Sequence, residues 1–570
     1  MKLLSKAIVG AALATLALSK NVTYYWNLTY AQANPDGLQP RRVITVNGQW
    51  PPPVLHATLN DTLTIELQNS LDVSTTLHAH GLHLQNANYM DGAYMVTQCG
   101  IPPGANFTYT YDIQQTGTFW VHLHKGMQYA DGLRAPLILH DPNETQAYDE
   151  DLVLPLEDWY HRESAELTHE FLSWKNPGGA EPVPNSMLVN RTGAEPTTLR
   201  FEPGKTYRIR LINMSVLATF HFAIEGHTMR VIEVDGVDCQ PHKVTNVQVA
   251  AAQRVSVLVT ALNSTANNYV FHADMDTDMF DSVPDTLVYN TTGTIEYSPD
   301  ASLKRSTAEW TPFADFDLIP LDEHEALDFD VTYNLDVIFG QFTDALNHGT
   351  FNNISYTEPN LPAMLTALTA HDPFDPRAYG SHTNTRVIEH MKDVQLVISN
   401  LDAGMHPIHL HMADMQLIAR GATPYDATFN PRPTRAPMRR DTVAIPSMEY
   451  VVLRFRAKRA GVLLAHCHLQ WHHVSGLAMQ FVVAPDVMRK SLNVPEVVYD
   501  QCRQMGLPVA GDALDQSGPL VYPAGWTRKA KGAMAGCIVS ALVGFAAIVW
   551  YGWSSQRTYK TVPNDEPEAS

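Results

Sequence analysis

Short runs of strictly alternating apolar and polar residues dominate the chain between residues 20 and 530. Examples are Arg42-Val43-Ile44-Thr45-Val46, Thr62-Leu63-Thr64-Ile65-Glu66-Leu67, Tyr207-Arg208-Ile209-Arg210-Leu211 and Val451-Val452-Leu453-Arg454-Phe455-Arg456. A period of two marks strands with one buried face, and the Pro, Gly and Asn residues between the runs mark turns. The pattern predicts an all-β fold of packed sandwiches or barrels. One short helix is expected from Glu163 to Trp174. Two continuous apolar runs interrupt the alternation, one ending at Leu18 and the other spanning Gly532 to Trp553.

The alternating region repeats itself. His78-x-His80 follows Asn69 by nine residues, and His409-x-His411 follows Asn400 by nine. His122-x-His124 lies five residues after Gly117 with Gly132-Leu133 ten and eleven after His122, and the same spacing relates Gly461, His466-x-His468 and Gly476-Leu477. The first and third parts therefore read as copies of one β-domain. A middle copy has Arg210-Leu211-Ile212-Asn213, but Phe222 stands nine residues after Asn213 where the other copies have histidine.

Residues i and i+2 of a strand point the same way, so each His-x-His pair aims two imidazoles at one place. One pair alone is common by chance. Four pairs, two from each copy, supply eight imidazoles, enough for about three metal ions at two or three nitrogens each. Cys467, between His466 and His468, must face the opposite side. His406 and His472 are the imidazoles placed to join it, and two imidazoles with a thiolate make a trigonal blue-copper donor set. Leu477, ten residues after the cysteine, stands where a weak axial methionine could sit.

Composition narrows the setting. The chain has 570 residues, 45% of them apolar and 17% charged, which excludes a disordered polymer and implies several domains. A net charge of -20 disfavours a nucleic-acid partner and suits a cationic substrate. Met1-Lys2-Leu3-Leu4-Ser5-Lys6 followed by the apolar run reads as a signal peptide of residues 1–19. Ten Asn-x-Ser/Thr acceptors, at Asn21, Asn27, Asn60, Asn106, Asn143, Asn190, Asn213, Asn263, Asn290 and Asn353, favour a glycosylated secreted portion. The uncharged run at 532–553, with Trp550, Tyr551 and Trp553 at its far end, reads as one membrane span with residues 554–570 as a cytosolic tail.

The segments HAHG (78–81), WVHLH (120–124), HPIHLH (406–411) and HCHLQWH (466–472) resemble the four copper signatures of multicopper oxidases, in the family's order. The resemblance implies three consecutive cupredoxin-like Greek-key domains at 20–145, 146–300 and 301–500, the middle one without copper ligands, then a juxtamembrane segment at 501–531. It implies four copper ions. A type 1 ion would lie on His406, Cys467 and His472, and a type 2 ion on His78 and His409. A type 3 pair would take His80, His122 and His468 for one ion and His124, His411 and His466 for the other. Asp91 resembles the carboxylate that assists oxygen reduction, and Cys99 with Cys502 resembles a family disulfide. Gln470 departs from the family pattern, which often has a proton-exchanging Glu or Asp there; an amide cannot exchange a proton as an acid.

Within the family, three segments are similar to the fungal cell-surface ferroxidases that work with a high-affinity iron permease. They are Asn176 to Pro184, Met279 to Pro284, and Asp402-Ala403-Gly404-Met405-His406. The resemblance implies an Fe(II) site on Glu181, Asp281 and Asp402, with dioxygen as the electron acceptor and a permease in the same membrane, the plasma membrane or the vacuolar one. Taken singly, each acid also reads as a loop residue. Asp315 and Asp317 read as solvated surface charges more readily than as a path for Fe(III). His161 and His473 lie off the ligand pattern, and Cys239 and Cys537 receive no role. A laccase-like oxidase of phenols or aromatic amines, needing a wider apolar pocket, and a non-catalytic copper-binding surface protein are the competing readings.

Overall fold

The computed structural model describes residues 19–305, 308–433, 435–514, 518 and 528–558. Residues 1–18 of the expected signal peptide, residues 515–517 and 519–527 of the juxtamembrane segment and residues 559–570 of the expected tail lie outside the described residues.

Each alternating run forms a strand, extended by one or two residues at its ends. Arg41–Val46, Thr62–Asn69, Thr206–Asn213 and Glu449–Arg456 all bury their apolar positions. The strands assemble into six sheets that fall in three pairs along the chain, four strands with four, then six with six, then six with five. This is the all-β, three-sandwich architecture expected.

The internal repeat is visible in strand pairing and in one side chain. In every pair of sheets the opening strand lies parallel to a later one: Asn21–Leu28 beside Thr62–Asn69, Glu150–Leu156 beside Tyr207–Asn213, and Val331–Val337 beside Val394–Asn400. The repeated asparagine ends the second strand each time. Asn69 Nδ2 donates to the carbonyls of Val73 and Ile101 at 2.9 Å, Asn213 Nδ2 to those of Ala218 and Val249 at 2.8 Å, and Asn400 Nδ2 to those of Gly404 and Ile445 at 2.7 and 3.2 Å. Each amide satisfies buried carbonyls that the strand ladder leaves free, which is why the residue recurs at this spacing.

That role corrects one expectation. Asn213 is fully buried and its amide is engaged, so it is not a glycan acceptor, whereas the other nine asparagines are exposed. The short helix is also trimmed, to Ser164–Phe171: Ser164 at its start is held by Asp131, its N and Oγ donating at 2.9 and 2.6 Å, and the Phe171 carbonyl at its end accepts from Asn176 Nδ2 at 3.0 Å. Cys99 and Cys502 form the implied disulfide, tying the helix Glu496–Gln504 to the first pair of sheets. Cys239 is a free, buried thiol.

The C-terminal helix runs Arg528–Thr558, longer than the expected span. Within it, the apolar stretch 531–555 contains 18 consecutive residues with a mean hydropathy of 2.2, and its 25 residues reach roughly 38 Å, enough to cross a hydrocarbon core.

Buried charge joins the first sandwich to the second. Glu233 accepts from Arg208 at 2.7 Å, from Thr118 Oγ1 at 2.8 Å and from Ser256. Burial opposes its ionisation, but Arg208, Arg210 and the two hydroxyls outweigh that and hold it at about 2. Its stabilisation is therefore complete above the ordinary carboxyl range near 4.5 and is lost as pH falls from there through about 2. Glu233→Gln is expected to destabilise the protein by about 3 kcal/mol at neutral pH. It should also flatten the fall in denaturation midpoint over that acidic interval, measured by urea unfolding across a pH series.

Candidate metal centre

The strand Leu77–His80 pairs antiparallel with Gly117–Leu123, setting His78 opposite His122. In the third pair of sheets His406–Leu410 pairs with Gly461–Cys467, setting His409 opposite His466. The two hairpin-like pairs face each other across the interface of the first and third sandwiches. His78 stacks on His411 at 4.1 Å between ring centroids and His80 on His409 at 3.8 Å. All eight imidazoles are buried. Gly81 permits this approach: it has a positive φ of +90°, and a Cβ there would lie 2.7 Å from Asp441 Oδ2.

One nitrogen of most rings is already committed. The Nδ1–H groups of His78, His122, His409 and His466 donate to the carbonyls of Asp91, Leu123, Asp441 and Cys467 at 2.7 to 3.0 Å. His411 Nδ1 is held by Asp91 Oδ2 at 2.9 Å. His80 is reversed, with Nε2 on Asp441 Oδ1 at 3.1 Å. Such bonds fix tautomer and ring direction, leaving the other nitrogen as a lone-pair donor. Among the described residues several nitrogens have no partner: Nε2 of His78, His122 and His409, Nδ1 of His80, and both nitrogens of His468. Burial, reinforced by neighbouring imidazoles, pushes His80, His122, His124, His411, His466 and His468 well below the ordinary histidine range, so they stay neutral. Orphaned, neutral, convergent nitrogens in a buried site are what a metal cluster requires.

Potential ligand atoms gather in sets within 4.8 Å: His78, His80 and His409; His80, His122 and His468; His124, His411 and His466; and His406, Cys467 and His472. The last set lies on the other face of the strand ending at Cys467. Its Sγ is 3.8 Å from His406 Nδ1 and 3.6 Å from His472 Nδ1. Burial disfavours the thiolate, yet the two imidazoles bring the thiol down to about 7. His472 goes up to about 10, because bonds to Cys467 and Glu181 outweigh its burial. Phe339 stacks on His406 at 5.4 Å, and Leu477 is fully buried, its backbone bonded to both Cys467 and His472.

The outward nitrogens of this set meet carboxylates. His472 Nε2 is 2.7 Å from Glu181 Oε1, and His406 Nε2 is 3.1 Å from Asp402 Oδ2. Burial raises Asp402, but His406 and the Gly404 amide more than compensate and hold it at about 2. Asp281 is exposed, and the structure joins its loop rather than its carboxylate to this group: Met279 Sδ accepts from the Met405 amide at 3.0 Å.

Family models described as multicopper oxidase match residues 27–144, 150–300 and 356–487. The iron multicopper oxidase fer1 of Mycosarcoma maydis is 42% identical over 604 aligned residues, covering 96% of each chain. The chain belongs to the multicopper oxidase family. The iron transport multicopper oxidase fetC of Epichloe festucae is 41% identical over 97% of this chain and 92% of its own. Among solved structures, Fet3p, described as a multicopper oxidase that functions in iron import, superposes with a TM-score of 0.85 at 32% identity, covering 89% of this chain and 100% of that one. A laccase from Botrytis aclada reaches 0.72 at 28% identity, covering 86% and 92%. Copper is the metal this family implies, and the imidazole and thiolate donors described above fit it.

Five other residues depart from or refine the sequence reading. Asp315 is buried and paired with Arg440 at 3.1 Å, so it is neither a solvated charge nor a free acid on a path for iron. Asp317 is exposed and pairs with Arg435 at 3.0 Å. His161 bonds Asp36 at 2.7 Å, whereas His473 stacks on His466 at 4.2 Å. Gln470 is buried, with its amide donating to the Gly126 carbonyl at 2.6 Å.

Sequence reasoning missed Asp441. It accepts from His80, carries His409 on its carbonyl, and is clamped by Arg254 at 2.6 Å. Burial opposes its charge, but Arg254 and His80 hold it well below the usual carboxylate range. Arg254 comes from the middle sandwich and Arg440, bonded to Asp235 at 2.8 Å, completes the lattice. Arg254→Met strands two buried carboxylates, and is expected to cost roughly 3–5 kcal/mol. Urea denaturation of the copper-free protein reads that loss apart from any effect on metal binding.

Proposed function

We propose that this multicopper oxidase is a membrane-anchored ferroxidase that oxidises Fe(II) to Fe(III) while dioxygen is reduced to water. The observation that carries the reading is the pair of bonds from His472 to Glu181 and from His406 to Asp402. Carboxylates there supply hard oxygen ligands that bind Fe(III) more strongly than Fe(II), which lowers the potential of the donor. The iron-transport names of the relatives support the same substrate. Asp281, in the neighbouring loop, is assigned as a third iron ligand. Glu181 and Asp402 both bind Fe(II) and connect it through hydrogen bonds to the two imidazoles beside Cys467.

His406, Cys467 and His472 would hold the type 1 ion, and His78 with His409 the type 2 ion. His80, His122 and His468, and His124, His411 and His466, would hold the type 3 pair. Bound copper supplies one-electron storage at four ions, which matches the four electrons needed to take dioxygen to water without releasing partly reduced oxygen. The backbone of Cys467 runs directly into His466 and His468, giving a short through-bond path between the two donor groups. Asp91 sits between the halves of the cluster, 2.9 Å from His411 Nδ1 and 3.4 Å from His78 Nδ1, and orients both rings as dioxygen is reduced.

We infer that the oxidase portion lies outside the cell and the helix in the plasma membrane, beside a high-affinity iron permease that takes up Fe(III); the signal-peptide pattern at the start of the sequence and the apolar C-terminal helix support this reading.

Oxygen uptake by the copper-loaded enzyme, with Fe(II) and with a phenol, tests the reading. In the Glu181→Ala/Asp402→Ala variant the apparent KM for Fe(II) is expected to rise by at least about tenfold, equivalent to about 1.4 kcal/mol of lost binding, while phenol oxidation persists. Preference of the native enzyme for phenol, with the variant indifferent, would instead identify a laccase.

A further inference from the structure

Reduction of dioxygen consumes protons as well as electrons: four Fe(II) and O2 with four H⁺ yield four Fe(III) and two H2O. In this chain position 470 cannot deliver them, because Gln470 is an amide whose Nε2–H is spent on the Gly126 carbonyl. The eight imidazoles are buried, so protons need another way in.

The structure contains one beside the cluster. A cavity of about 400 Å³ is lined by His124, a member of the imidazole cluster, together with His473, Tyr356 and Glu358. A second cavity of about 450 Å³ shares Tyr94, Gly126 and Glu358 with the first. Glu358 thus stands where the two meet, on walls that include the residue anchoring Gln470. Its side chain is open to both cavities, and no hydrogen bond or ion pair holds its carboxylate among the described residues. In the first cavity, His473 Nδ1 is a buried nitrogen without a partner among the described residues, a site a water chain can use.

We propose that Glu358 is the proton-delivery acid of this oxidase, passing solvent protons through the His124–His473 cavity to the oxygen-reducing cluster in place of the residue at 470. Each cycle transfers one proton from the Glu358 carboxyl into the cavity water and takes one back from the outer cavity, so the residue is unchanged after four turns. The inference rests on dioxygen reduction by the family's copper cluster and not on iron as the donor.

The surroundings suit an acid that exchanges protons near neutrality. Glu358 is exposed, yet the cleft walls around its carboxyl strip enough water from it to push it up to about 7, with Lys125 acting against the rise. Lys125 itself donates to Ser74 and lies over Tyr94 at 5.0 Å. The neighbouring Tyr94 and Tyr356 hydroxyls are raised by burial and remain protonated. His348, which also lines the first cavity, is bound to Asp344 at 2.8 Å. Across the second cavity the charges are already paired, Arg42 with Glu163 at 2.6 Å and Asp131 with Arg41 at 2.9 Å, and Asp72 accepts from Tyr30 at 2.7 Å.

The test uses the full copper-loaded enzyme as Glu358→Gln, Glu358→Asp, and Glu358→Gln with Gln470→Glu. Two half-reactions are read separately by stopped flow: anaerobic bleaching of the type 1 absorbance by Fe(II) or by a phenol, and its return on mixing with dioxygen. Glu358→Gln is expected to slow the return roughly tenfold or more, to remove the inflection near neutral pH and to enlarge the solvent deuterium effect. Glu358→Asp should keep part of the rate, and Gln470→Glu should restore it in the Glu358→Gln background. In copper-free protein, infrared titration should show a protonated-carboxyl band lost near pH 7 that is smaller in Glu358→Gln, with Asp238, which burial also pushes up to about 7, supplying what remains. An unchanged pH profile and deuterium effect in Glu358→Gln overturns the assignment. So does equal slowing of both half-reactions, or loss of copper, since either marks a structural role. Failure of Fe(II) as donor with the phenol result intact would sink the ferroxidase reading alone.

Discussion

A strand turns each successive side chain to the opposite face, and both metal-binding groups of this protein depend on that rule. At residues 466 to 468 it sends two imidazoles one way and the sulfur between them the other. The neighbouring strand does the same, with His406 on the thiolate side and His409 on the cluster side. Two adjacent strands therefore build parts of both centres, whose separation is set by peptide geometry, with neighbouring Cα atoms about 3.8 Å apart. No loop movement can change it.

The rule supplies only half of the cluster. The other half comes from the first sandwich, so the centre exists only where two copies of one fold meet. Holding neutral imidazoles face to face requires fixed rings and a fixed interface. Asp91 and Asp441 do the first, each bonding rings from both copies. The middle sandwich does the second, since its Arg254 reaches Asp441 and its Asp235 receives Arg440. The copy without ligands thus governs the site through charge, and Phe222, standing where its siblings have histidine, packs in the apolar core instead.

These parts differ in how far they can be read from sequence. The His-x-His pairs and the repeated asparagines are legible because periodicity and equal spacing are one-dimensional signals. The first and third copies are legible for the same reason. Asp441 is not, because Arg439-Arg440-Asp441-Thr442 reads as solvated charge, and its partner Arg254 lies 187 residues away. Asp315 misleads in the same manner, since burial is invisible when the compensating cation is remote in sequence. Asn213 misleads differently: its tripeptide satisfies a glycosylation pattern, while its side chain is needed inside. The acids Glu181 and Asp402 are recognisable only through family resemblance, since nothing in their spacing announces that two distant loops converge on the same pair of imidazoles.

The disulfide between Cys99 and Cys502 links residues 403 apart in sequence, so it closes most of the chain ahead of the apolar helix into a covalent ring. A ring cut once remains one molecule. A protease that nicks any exposed loop between those cysteines produces two fragments that stay joined through sulfur, with the amino-terminal half of the histidine cluster still attached to the segment that leads into the apolar helix. Both halves of the cluster then remain in one molecule, and separating the histidine cluster from the apolar helix takes a second cut, or reduction of the disulfide, unless the first cut falls beyond residue 502.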